Sequence, residues 1–268
     1  MTRKVCLIGN SHLAALRDAL TRNPDAWPDV AFTCVGGHGE TLLETHCVDG
    51  VLRPQTQDAR EAFEQFGGVS EVVLDGFDAV VVAGCQVACA RAGALYRRAR
   101  WYGLPSMATC RDWGGGPWAL VSEPGFAATL RDMLQETLGL RLLARLRAGS
   151  NARLFLASQP RLTSQVRTQT DHPLSINNHI IAAGDGAAVS AMFESTVTKL
   201  VSELGATFLS QPSQTITDDL LTADPFTVGA VRLTRAGRSP QPREDLLHAN
   251  ATYGRLVLDQ IAAQLTPA

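Results

Sequence analysis

The chain has 268 residues, of which 45% are hydrophobic and 19% charged, and a formal net charge of −2. That length buries a substantial core in one or two domains without help from disulfides or metals. The near-neutral balance lacks the basic excess with which a nucleic-acid binder neutralises phosphates, since the arginines are scattered, balanced by acids, and joined only by Lys4 and Lys199.

In chain order, residues 4–9 (KVCLIG) read as a buried strand and 12–22 as a helix with Leu13, Leu16 and Leu20 on one face. Residues 30–35 read as a second strand, followed by Gly36-Gly37-His38-Gly39, and 58–66 as a short helix. The apolar run 78–83 (DAVVVA) is a third strand ending at Gly84, and 86–101 reads as the helix after it. Residues 122–148 read as one long helix, with Leu130, Met133, Leu134, Leu138, Leu142 and Leu146 in register. A fourth strand at 153–157, a helix at 189–204, a short strand at 207–209 and a helix at 247–265 complete the chain. Strands alternating with helices imply a parallel sheet covered on both faces, with ligand sites beyond the carboxyl ends of the strands. The stretches 103–122 and 211–243 are rich in Pro, Gly and polar residues and read as long loops, which in compact domains are often functional.

The first apolar run is too short for a secretory leader and ends in Asn10-Ser11-His12 rather than a small-residue cleavage site. No run reaches the roughly 18 uninterrupted apolar residues of a membrane span, so no membrane partner is expected. Of the six cysteines, three fall in apolar runs that read as strands or their ends and so as small buried side chains. A reduced, cytoplasmic protein is the expectation. Cys85 and Cys89 have the spacing of one helix face, but with His38 and His46 they form no tight pair of the zinc type, so no metal is expected.

Two motifs at strand ends carry the chemistry. Gly9-Asn10-Ser11-His12 places Ser11 where a strand turns into a helix N-terminus, with its hydroxyl exposed and backbone N–H groups favouring developing negative charge. Read alone, Ser11 is more simply a helix N-cap. Near the other end, Asp245 and His248 stand three residues apart at the start of the last predicted helix. This spacing lets the carboxylate fix the tautomer of the ring and leaves its other nitrogen for a nucleophile. Read alone, this is an Asp N-cap beside a surface His.

Together, Gly-Asn-Ser-His after the first strand and Asp-x-x-His before the last helix resemble the SGNH/GDSL hydrolase family, across nearly the whole chain and with the same element order. The resemblance implies a flavodoxin-like three-layer α/β/α sandwich with a central, mainly parallel five-stranded sheet. It also implies a serine esterase using Ser11 as nucleophile, His248 as base and Asp245 as the acid behind it, with no cofactor. Its usual Gly-Asp-Ser reads Gly9-Asn10-Ser11 here. The family's oxyanion hole maps onto the Ser11 N–H, Gly36 (with Gly37 the near alternative) and the third block, where Gly-x-Asn reads Gly84-Cys85-Gln86. Gln carries the same amide on one more methylene; the alternative is that Gln86 simply opens the following helix. The Gly-x-Ser-x-Gly elbow of α/β-hydrolases is absent.

Substrate contacts are expected from Trp113 and Trp118, which flank Gly114-Gly115-Gly116-Pro117, against the alternative that they are packing anchors. Arg161, after the fourth strand, would face the same rim and bind an anionic group, or else be a solvated Arg. Asp171, His172, Asn177, Asn178 and His179 are assigned no chemistry. The implied substrate is a small-molecule or carbohydrate ester with a short acyl group. Acyl transfer through the same acyl-enzyme, or a silent binding module of this fold, are the competing readings. A site running from Ser11 to His248 makes residues 1–268 a single domain, with insertions near 103–122 and 159–186.

Overall fold

A computed structural model describes residues 2–108, 117–170, 172–234 and 237–265. Five strands form the central sheet: β1 (Arg3–Gly9), β2 (Val30–Gly36), β3 (Ala79–Ala83), β4 (Leu154–Ala157) and β5 (Thr207–Leu209). Every pairing is parallel and the order is β5-β4-β3-β1-β2. The direction of winding therefore reverses between β1 and β3, the switch point of a flavodoxin-like sheet, where the outgoing loops part and leave a crevice.

Strand alternation divides the core. Cys6, Ile8, Val80, Val82, Leu154 and Leu156 point to one face, and Val5, Leu7, Ala79, Val81, Phe155 and Ala157 to the other. Two helices cover the second face, α1 (Leu13–Arg22) and the C-terminal α7 (Ala251–Leu265). The first face is covered by α2 (Gln57–Gly67), α3 (Ala90–Tyr96), α4 (Glu123–Gln135), α5 (Leu138–Gly149) and α6 (Gly186–Glu203). The result is a three-layer α/β/α sandwich.

The register decides where the site forms. Gly9 pairs with both Gly36 and Ala83, Ala83 with Ala157, and Ala157 with Leu209. All five strands thus end in one row, and every following loop leaves from the same edge.

Three helix expectations are corrected. Residues 86–101 are not one helix: α3 covers only Ala90–Tyr96, and Ala99–Trp101 is a strand paired with Ala119–Val121. The long helix over 122–148 is two, because Thr137 caps a new start, accepting from the Leu140 N–H. The last helix begins at Ala251 rather than 247, capped by Asn250, whose Oδ1 accepts from the N–H groups of Thr252 and Tyr253 at 2.9 and 3.2 Å. Asp245 and His248 therefore belong to the loop before the helix. Smaller sheets escaped the sequence reading, among them Thr45–Val48 with Val51–Pro54 and the hairpin Val231–Thr234 with Gly237–Pro240.

Candidate active site

The turn after β1 is built by Asn10. Its Oδ1 accepts from the N–H of His12 at 3.3 Å and from that of Cys85, after β3, at 3.4 Å. One amide oxygen thus ties the two loops that part at the switch point. Ser11 is exposed, and its side chain does not cap α1; the hydroxyl instead meets His248, Oγ to Nε2, at 2.9 Å. The other ring nitrogen of His248, Nδ1, lies 2.9 Å from Asp245 Oδ1, while the His248 backbone N–H donates to Oδ2 at 3.0 Å. A carboxylate only accepts, so Nδ1 carries the proton and the lone pair of Nε2 faces the serine hydroxyl. Burial works to raise the Asp245 pKa, but hydrogen bonds from the His248 ring and from the His248 and Leu247 backbone outweigh it and hold the carboxyl below its usual range.

The loop that carries Asp245 and His248 is fastened on both sides. Leu246 is buried with Leu162, Val166 and Leu221, and its carbonyl accepts from the Thr163 N–H at 2.9 Å. Asn250, besides capping α7, donates from Nδ2 to the carbonyls of Pro225 and Val228 at 2.9 and 2.8 Å.

His12 forms the floor. It is 8% exposed and stacks on His248 with ring centroids 4.7 Å apart and planes 23° apart. Burial first, then the neighbouring His248, lower its pKa to about 3, against the opposing pull of Asp245. The ring is neutral at physiological pH, and its Nδ1 has no hydrogen-bond partner among the described residues.

A cleft of about 260 Å³ opens beside Ser11, lined by Gly36, Gly37, Gly39, Leu13, Phe66, Gln86 and Arg232 among others. Both Gly36 and Gln86 thus share a cleft with Ser11. The Gly37 N–H is already engaged by the Gly9 carbonyl at 3.0 Å. Gly39, which the sequence reading passed over, lines the same cleft with φ at +54°. Among the described residues, no hydrogen bond engages the N–H of Ser11.

Gln86 does not start a helix. Gly84, Cys85 and Gln86 all have positive φ (74°, 51° and 68°), a run that costs free energy at its two non-glycine members. The turn is held in place because the Gln86 N–H donates to Gln159 Oε1 at 3.1 Å and Cys85 to Asn10. Gly84 cannot be replaced, since a Cβ there would lie 2.8 Å from that of His12. The Gln86 side-chain oxygen accepts from Arg91 at 3.3 Å. Arginine only donates, so the amide oxygen belongs to Arg91 and the amide N–H groups are left for the cleft.

The remaining expectations fare differently. Arg161 faces inward, not to the rim: it is 4% exposed and donates to Ser190 Oγ at 2.8 Å, to the Asp219 carbonyl and to Glu194 at 3.0 Å. Trp118 packs against the larger core near Arg100 and does not line the cleft. Trp113 lies outside the described residues. Cys85 and Cys89 share no helix face, and burial raises their thiols to about 12 and about 11, so neither is a thiolate at neutral pH.

No family model and no curated protein matches the sequence. Among solved structures, the periplasmic domain of a lipopolysaccharide acetyltransferase of Salmonella ser. Paratyphi A is similar, with a TM-score of 0.45 and 12% sequence identity over 99% of this chain and 84% of that one.

Proposed function

We propose that the protein is a serine-dependent hydrolase of carboxylic esters acting through an acyl-enzyme. The observation that carries this reading is the continuous line Asp245–His248–Ser11, with both contacts at 2.9 Å and opening on a cleft. His248 Nε2 takes the proton of Ser11 as Oγ attacks the ester carbonyl, and Asp245 stabilises the imidazolium and fixes its orientation. The oxyanion is received by the Ser11 N–H, the glycine turn that begins at Gly36, and the Gln86 amide. His248 then returns its proton to the departing alcohol. In the second step it draws a proton from water, which attacks the acyl carbon and frees the acid and Ser11. A binding module of this fold would have no physical need for an exposed serine aligned with an oriented imidazole.

Ser11→Ala tests the reading. Turnover of a short-chain 4-nitrophenyl ester falls on the order of 10⁴-fold or more, and labelling by a fluorophosphonate is lost, with the circular dichroism unchanged. A wild type that neither turns over the ester nor takes the label would sink the proposal. Product analysis with and without an added acceptor alcohol separates hydrolysis from acyl transfer, which shares every step up to the acyl-enzyme.

A further inference from the structure

Among the described residues, Arg232 is the one Arg or Lys side chain lining the Ser11 cleft and no carboxylate lines it, although the chain as a whole is slightly acidic. It stands on the hairpin Val231–Thr234/Gly237–Pro240, opposite Ser239. The next pair along the hairpin holds Arg238, which reaches α1 and pairs with Asp18, a carboxylate only 1% exposed. Successive residues of a strand point to opposite faces. One face of the hairpin is therefore fastened to α1 through Arg238, and the opposite face presents Arg232 and Ser239. Arg232 Nε donates to Ser239 Oγ at 3.0 Å, which fixes one edge of the guanidinium. The two terminal nitrogens have no acceptor among the described residues. A planar, pre-oriented fork at the mouth of a cleft without carboxylates suits a carboxylate or phosphate, which accepts two parallel N–H bonds.

We infer that the ester substrate carries an anionic group, a carboxylate or a phosphate, and that Arg232 binds it. The inference rests on the ester-hydrolase reading above and adds the substrate's charge to it. The apolar side of the cleft, Leu13 and Phe66, takes the uncharged part.

The test compares kcat/KM for three esters: neutral 4-nitrophenyl acetate; 4-nitrophenyl hemisuccinate, charged on the acyl part; and 5-acetoxy-2-nitrobenzoate, charged on the leaving group. For one of the two charged esters, the preference over the neutral one falls about 10- to 100-fold in Arg232→Ala and further in Arg232→Glu. The ester that responds identifies the part of the substrate that bears the charge. Preferences that stay at the wild-type value in both variants, for both charged esters, overturn the inference while leaving the hydrolase reading intact. If wild type turns over none of the three, the hydrolase reading fails instead. Binding of the uncleaved esters to Ser11→Ala, with and without Arg232→Ala, then decides whether Arg232 selects the charge: equal affinity for charged and neutral esters in both proteins overturns it.

Discussion

The two halves of the candidate site are held by different physics. The nucleophile side, Ser11 with Gly36 and Gln86, hangs from strand ends that the ladder of a five-stranded parallel sheet keeps in one row. The base side, Asp245 and His248, belongs to an irregular loop secured by one buried leucine, a backbone bond from Thr163 and the side chain of Asn250. A sheet edge places groups cooperatively, through many shared backbone bonds; a clamped loop places them through a few named side chains. Damage to the first half should therefore alter chemistry with little cost in stability, whereas damage to the second should alter both.

The largest effect that tests this contrast is on the sheet side. On the proposed mechanism Gln86→Ala removes an oxyanion donor and lowers kcat by about 10²–10³-fold, with a melting temperature close to that of wild type. An unchanged kcat would take Gln86 out of the mechanism. On the loop side, Asn250→Ala deletes a helix cap and two clamp bonds at once. It should destabilise by about 1–2 kcal/mol, read by denaturant titration, and lower kcat as well, because His248 loses its fixed position. A variant that loses stability but keeps kcat would show that the loop is placed by something other than Asn250.

The smallest effect lies where the halves meet, at the His12–His248 stack. The unfolded chain protonates His12 near the usual 6.5, while the folded one resists down to about 3. His12 therefore contributes stability that is complete above about pH 6.5 and is lost as the pH falls towards 3. The melting temperature of wild type should drop between pH 7 and pH 5 by a few degrees per pH unit more than that of His12→Phe. Parallel curves for the two proteins would remove His12 from the acid response.

The same contrast explains what the sequence made legible. Apolar runs such as VVVA at 80–83 report strands buried on both faces, so the central sheet could be read directly. That Ser11, Asp245 and His248 meet could be read from their two motifs, because a Ser–His–Asp hydrogen-bonded line needs fixed residue types. The errors arose where local pattern yields to non-local pairing or to one capping atom. The strand Ala99–Trp101 finds its partner about twenty residues on. The leucine register runs unbroken through Thr137, so only the hydroxyl marks where one helix stops and the next starts. Asn250, not Asp245, supplies the cap of α7. Arg161 and Arg232 look alike in sequence; what separates them is that Glu194, Ser190 and the Asp219 carbonyl meet inside the fold to receive the first.

Gly254 has a wider reach than its size suggests. A Cβ there would stand 2.1 Å from the carbonyl oxygen of Ala15, so α7 and α1 touch backbone to backbone. Helix α1 begins two residues beyond Ser11, and α7 three residues beyond His248. The distance between hydroxyl and imidazole thus depends on the crossing of two helices at the chain's opposite ends as well as on the clamps of the loop. Whatever pries the C-terminal helix from its seat, whether heat, truncation or a side chain at position 254, disconnects the proton path without altering any residue in it. On the proposed function, the rate of turnover is in that sense a gauge of a single helix contact.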